Sequence, residues 1–62
     1  MASIMRRVAA EFREMPGMRL TESQVTRLFD LSPVDCCAVL ERLVESRLLK
    51  RDDAGRYSLA IA

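Results

Sequence analysis

Apolar residues recur at helical spacing over the first fifteen positions of the chain. At 100° per residue they form one stripe, and charged residues occupy the opposite face. The stripe consists of Ile4, Met5, Val8, Ala9, Phe12 and Met15. This pattern predicts a first helix from Ser3. Pro16 and Gly17 end it, because the residue before a proline avoids the helical region.

A capping pattern predicts the start of a second helix. Thr21 and Gln24 have the spacing of a capping box, in which each side chain bonds the other residue's backbone N–H. The preceding residues 18–20 are too few for a helix and favour a short strand. The helix runs to about Phe29. Its predicted inward residues are Val25, Leu28 and Phe29.

The third helix has the strongest start signal in the chain. Ser32 is a favoured cap, Pro33 fits the first helical position, and Asp35 lies in the first turn. We expect the helix to end near Ser46, because Arg47 would otherwise project into the apolar arc. That arc comprises Cys36, Cys37, Val39, Leu40, Leu43 and Val44.

Two extended runs at the end of the chain predict a β-hairpin. Residues 48–51 and 56–60 flank a four-residue loop that contains Gly55. Tyr57, Leu59 and Ile61 alternate with more polar residues, which gives the last strand one apolar face. We predict a mostly α fold with a small hairpin, organised as a single domain over residues 1–62.

The amino-acid composition limits which chemical functions we expect of the chain. The 62 residues include ten Lys or Arg, nine Asp or Glu and no His, for a net charge of +1. A domain of this size has material for one small core, and the commonest general base is missing, so we predict no enzymatic activity and no cofactor. No apolar run is long enough for a membrane span, and the charges that interrupt the first fourteen residues lead us to expect no signal peptide. A cytoplasmic location is expected.

The only two cysteines are adjacent, at positions 36 and 37. Neighbouring helical side chains diverge by 100°, so these thiols cannot form an unstrained disulfide, and a tetrahedral metal site would need two further ligands. We predict that both are small core residues and that the chain holds no metal.

The order of elements resembles the winged helix-turn-helix superfamily of DNA-binding proteins. The stretch LTESQVTRLFDLS, residues 20–32, resembles its second helix and turn. VLERLVESRLLKR, residues 39–51, is similar to the recognition helix and first wing strand of GntR-type and MarR-type regulators, and DDAGRYSLA, residues 52–60, resembles the wing tip and return strand. The family usually has glycine where this chain has Arg47, so either Arg47 adopts a left-handed conformation or the helix ends differently.

The resemblance implies a three-helix fold with a two- or three-stranded antiparallel wing sheet, and a small transcriptional regulator that binds duplex DNA. In this family the third helix enters the major groove and the wing touches phosphates. The corresponding residues here, drawn from the second helix, the third helix and the wing, are Ser23, Thr26, Arg27, Ser32, Val34, Asp35, Ala38, Arg42, Lys50, Arg51 and Arg56.

Charge on the third helix leaves a second interpretation open. Its predicted exposed face has three carboxylates, Asp35, Glu41 and Glu45, against the single cation Arg42, which is the wrong sign for phosphates. The alternative function is a protein-interaction module that uses this acidic and partly apolar face. A homodimer through the first helix or the hairpin edge is also compatible with the sequence.

Overall fold

The computed structural model describes residues 2–60, which form three helices and a three-stranded antiparallel sheet. The helices are α1 (Ala2–Glu14), α2 (Glu22–Phe29) and α3 (Pro33–Glu45), and the strands are β1 (Leu20–Thr21), β2 (Leu49–Arg51) and β3 (Arg56–Leu59). The predicted fold class is confirmed: the described residues are mostly helical, with a three-stranded antiparallel sheet whose β2–β3 hairpin is called the wing below. Ile61 lies outside the described residues.

Local hydrogen bonds fix the starts of α2 and α3 where the sequence predicts them. The Gln24 N–H donates to the Thr21 hydroxyl oxygen at 3.2 Å, and the Thr21 N–H donates to Gln24 Oε1 at 2.8 Å. The Asp35 N–H donates to the Ser32 hydroxyl oxygen at 3.1 Å. These caps satisfy N–H groups that a helix start otherwise leaves unpaired, and they confine the turn between the helices to residues 30–32.

The sheet has the order β1–β3–β2, so the strand that precedes α2 completes the wing. Leu20 is opposite Tyr57, and Tyr57 is also opposite Arg51 on the other side. Because side chains alternate across a strand, Leu20, Arg51 and Tyr57 share the face that is turned toward the helices. Lys50 and Arg56 belong to the outer face, where both are exposed.

One hydrophobic core joins every layer, and α3 contributes most to it. The buried apolar residues are Val8, Ala9 and Phe12 from α1, Val25 and Phe29 from α2, Cys36, Val39, Leu40 and Leu43 from α3, and Leu49 and Tyr57 from the sheet. This arrangement leaves the opposite side of α3 and the outer face of the sheet free for contacts with other molecules.

Three residues predicted to face the core are exposed instead. Leu28 is 58% exposed, Met15 lies beyond the end of α1, and Cys37 is an exposed free thiol. Periodicity marks the whole apolar arc of a helix, whereas burial depends on how far the neighbouring elements reach. Val25 and Phe29 occupy the contact surface of α2, and the sheet does not cover the flank of α3 that carries Cys37.

The end of α3 uses a left-handed residue that is not glycine. Arg47 has φ of 66°, its N–H donates to the Val44 carbonyl at 3.0 Å, and the Leu48 N–H donates to the Leu43 carbonyl at 3.1 Å. This is the hydrogen-bond pattern of a Schellman motif. Of the two alternatives that the sequence left open, Arg47 adopts the left-handed conformation.

Replacing Arg47 with glycine should therefore stabilise the protein. Glycine removes the Cβ clash but loses more conformational entropy on folding. The net gain in the free energy of unfolding is about 0.5–1 kcal/mol, which raises Tm by about 2–8 °C for a domain of this size. Thermal unfolding followed by circular dichroism measures the change. Arg47→Ala is the control, since it removes the charge and keeps the Cβ; an equal gain in both variants would show that the charge is responsible.

Candidate nucleic-acid interface

The predicted contact residues of α2 come together beside the start of α3. Ser23, Thr26 and Arg27 line a shallow surface depression with Glu22 and Pro33. The Thr26 hydroxyl donates to the Glu22 carbonyl at 2.8 Å, so its only proton is already engaged. Ser23 and Arg27 are exposed and are the residues of this group that can donate to a phosphate oxygen.

The predicted contact residues in the first half of α3 provide almost no positive charge. Val34 is 78% exposed, while Asp35 and Ala38 are half-buried. The Ser32 hydroxyl oxygen accepts from the Asp35 N–H, which leaves its proton available to a ligand. One hydroxyl donor and one carboxylate are therefore the polar groups that these four positions offer.

Arg42 is the cation of α3, and it lies to one side of the outermost face. Successive helical residues are 100° apart, so Arg42 points away from Glu41, and Glu41 shares its side of α3 with Glu45. The exposed side of α3 thus has Glu41 and Glu45 near its centre and Arg42 at its edge, one turn from Glu45, so carboxylates outnumber the guanidinium.

The three predicted wing cations are divided between the two sides of the sheet. Lys50 and Arg56 are on the outer face, and Lys50 is opposite Ser58 in the register. Arg51 is on the inner face, turned toward α3. The prediction grouped these residues around the wing tip, but strand alternation separates Arg51 from the other two.

Arg19 joins Lys50 and Arg56 through the β1–β3 pairing. It precedes Leu20, which packs on the core, so alternation places Arg19 on the outer face of the sheet. The Asp52 carboxylate, at the wing turn, accepts from the N–H groups of Arg56 and Ala54, each at 2.9 Å. Those hydrogen bonds hold the pKa of Asp52 below its usual value, and the charges of Arg56 and Arg19 lower it further. Arg19, Lys50 and Arg56 are called the outer wing cations below.

An open groove of about 480 Å³ lies beside the contact between α3 and the inner side of the sheet. Its walls contain Val44 and Tyr57, together with an exposed thiol and several charged groups. Three carboxylates line it against one guanidinium, and the full set is Glu22, Cys37, Glu41, Val44, Glu45, Arg51 and Tyr57. The groove, called the α3 groove below, is therefore acidic.

The sequence did not predict this groove, because Cys37 was assigned to the core and Arg51 to the wing tip. Val44 packs on the core as predicted and also lines the groove. Period-two alternation from Leu49 gives the one available signal, since it places Arg51 on the inner face. The distance between α3 and the sheet depends on tertiary packing and has no local signature.

Cys37 hydrogen-bonds within the α3 groove. Its thiol donates to Glu41 Oε1 at 3.5 Å. This bond and the negative charge of Glu41 raise the pKa of Cys37 above its usual value, so the neutral thiol is favoured. Among residues 2–60 no three His, Cys, Asp or Glu side chains are grouped so as to hold a metal ion.

No helix between residues 2 and 60 has the length and apolar character needed to cross a bilayer. No protein-family model, curated protein or solved structure matches the chain.

The two cysteines should differ sharply toward a thiol-reactive disulfide reagent. In the folded protein Cys37 reacts, while Cys36, which is fully buried, reacts only after unfolding. The Glu41→Gln variant should react faster at pH 8, because a lower pKa increases the thiolate fraction. Absorbance of the released thiol gives both rates. Glu14→Gln is the control, and equal rates in all three proteins would contradict the Cys37–Glu41 contact.

Proposed function

We propose that the chain is a winged helix-turn-helix protein that binds the phosphate backbone of duplex DNA. The observation that carries this proposal is the gathering of Arg19, Lys50 and Arg56 on the outer face of the sheet, beside the Ser58 hydroxyl. Guanidinium and ammonium groups bind phosphate oxygens, and such contacts supply most of the affinity that does not depend on base sequence.

The helix-turn-helix segment adds positioning contacts to this proposal. Ser23 and Arg27 at the surface of α2, and Ser32 at the start of α3, lie where winged-helix proteins approach the backbone. Asp35 and Glu41 oppose deep insertion of α3 into the major groove. The proposed DNA-binding mode therefore depends on phosphate contacts more than on base contacts. Arg42 is the one cation that α3 contributes to it.

A role in transcription regulation follows from this mode only if the interface is enlarged. A single winged helix of 62 residues buries a modest area on DNA. Two copies on adjacent half-sites double the phosphate contacts, so a homodimer or tandem binding on DNA forms part of the proposal.

Salt dependence tests the proposed mode. Mobility shift of a random-sequence duplex should detect binding at about 50 mM salt. Four cationic phosphate contacts, from Arg27 and the outer wing cations, predict a slope of about −3.6 for log K against log salt, a loss of about 150-fold by 200 mM. Lys50→Gln and Arg56→Gln should each reduce the slope by about one.

Arg7→Gln on α1 is the matched control. It removes the same charge from a surface next to α2, away from the sheet, and should leave the slope unchanged. Absence of any shift at low salt with folded protein would refute DNA binding by this chain. A slope that falls equally in the control and the wing variants would refute the outer wing cations as its source.

A second candidate function is a protein-interaction module, and the composition of the exposed α3 face favours it. Val34, Ala38, Glu41 and Glu45 combine apolar and acidic groups there, and Arg42 at the edge of the face is its one cation. Substituting Val34→Arg together with Asp35→Arg should abolish binding of a partner that docks on the first turns of α3.

A further inference from the structure

The Tyr57 side chain lines the α3 groove, and its hydroxyl has no partner. Tyr57 is only 8% exposed, and no group within residues 2–60 hydrogen-bonds its hydroxyl. The oxygen is not fully enclosed either. Burial raises the pKa of Tyr57, and the charges that act on it include those of Arg51 and Glu22, which line the groove. The hydroxyl is thus a neutral hydrogen-bonding group presented to whatever enters.

The charged groups of the α3 groove define what it can hold. Glu41 and Glu45 come from successive turns of α3, and Glu22 comes from the first turn of α2, so carboxylates from two helices face one space. Arg51 is the single cation in the lining. Anions are repelled by this arrangement and cations are attracted.

The apolar walls of the groove favour a cationic side chain over a simple cation, because only a side chain has an apolar stem that can pack on them. Val44 and the Tyr57 ring form part of the walls, and an arginine stem can pack along such a surface while its head group remains polar. The planar guanidinium of arginine can donate hydrogen bonds to two carboxylates at once. The compact ammonium of lysine does so with less geometric specificity.

We propose that the α3 groove binds an arginine-bearing segment of a partner protein. The guanidinium donates to Glu41 and Glu45, the Tyr57 hydroxyl accepts a further N–H, and an apolar neighbour of the arginine packs on Val44. This inference rests on the second candidate function and gives it a site and a ligand class. It places the partner on the side of α3 next to the sheet, centred on Glu41 and Glu45 rather than on Val34.

A short peptide tests the site directly. The probe is an acetylated, amidated peptide of sequence Gly-Ser-Arg-Leu-Arg-Ser-Gly, titrated into isotope-labelled protein and followed by NMR. Saturable shifts should appear at the Val44 methyl groups, the Tyr57 ring and the Cys37 and Arg51 amides. The same peptide with Gln in place of both Arg should cause none, because the carboxylates then gain no charged partner.

Charge-neutralising variants distinguish binding in the α3 groove from attraction to negative charge elsewhere on the protein. Glu41→Gln combined with Glu45→Gln should weaken peptide binding at least about tenfold, since each loses a charge-assisted hydrogen bond. Glu11→Gln with Glu14→Gln, which removes the same charge from the exposed face of α1, should leave binding unchanged. Tyr57→Phe removes one oxygen from a packed ring and should weaken binding without loss of fold.

The remaining outcomes each contradict the proposal in a distinct way. No saturable shift with the arginine peptide, or equal weakening by the α1 control pair, would refute the α3 groove as its site. Shifts confined to Val34 and Ala38 would refute the groove while leaving the protein-interaction function standing. The DNA mobility shift of the unmodified protein is a separate test, because the outer wing cations lie on the opposite side of the sheet from the α3 groove.

Discussion

Burial of one stripe of α3 is the interaction on which the rest of the molecule depends. Cys36, Val39, Leu40 and Leu43 pack in the one core that α1, α2 and the sheet share. A chain of 62 residues cannot build a second core, so every other element is positioned by its contact with this stripe. The surfaces proposed above for binding are consequently those outside this core: the exposed side of α3 with its groove, and the outer face of the sheet.

Features with local causes could be predicted from the sequence, and features that depend on the reach of neighbouring elements could not. The caps at Thr21 and Ser32 involve residues three apart, so the starts of α2 and α3 follow from local chemistry. The left-handed conformation of Arg47 also has a local cause, because it is set by the end of α3. Exposure of Cys37 depends instead on how far the sheet stands from α3, and periodicity contains no information about that distance.

The same distinction applies to the candidate site. Residues in the depression between α2 and α3 were predicted together because they share one helix and its adjoining turn. Arg19 and Arg56 are distant in sequence, and only the β1–β3 register brings their charges to one face. Arg51 was grouped with the wing by its position in the chain, and the pleat of β2 turns it to the other side.

The net charge of +1 therefore averages over unlike surfaces. Three cations share the outer face of the sheet, and carboxylates outnumber the one guanidinium in the α3 groove. The molecule spans 28 × 23 × 19 Å, and fields are screened over about 8 Å at physiological ionic strength, so the outer wing cations and the acidic α3 groove act almost independently there. At about 0.01 M salt the screening length is about 30 Å, and the carboxylates then oppose phosphate binding at the wing. Removing Glu41 and Glu45 should consequently strengthen proposed DNA binding at low salt more than at physiological salt, because only the long-range field couples the two faces.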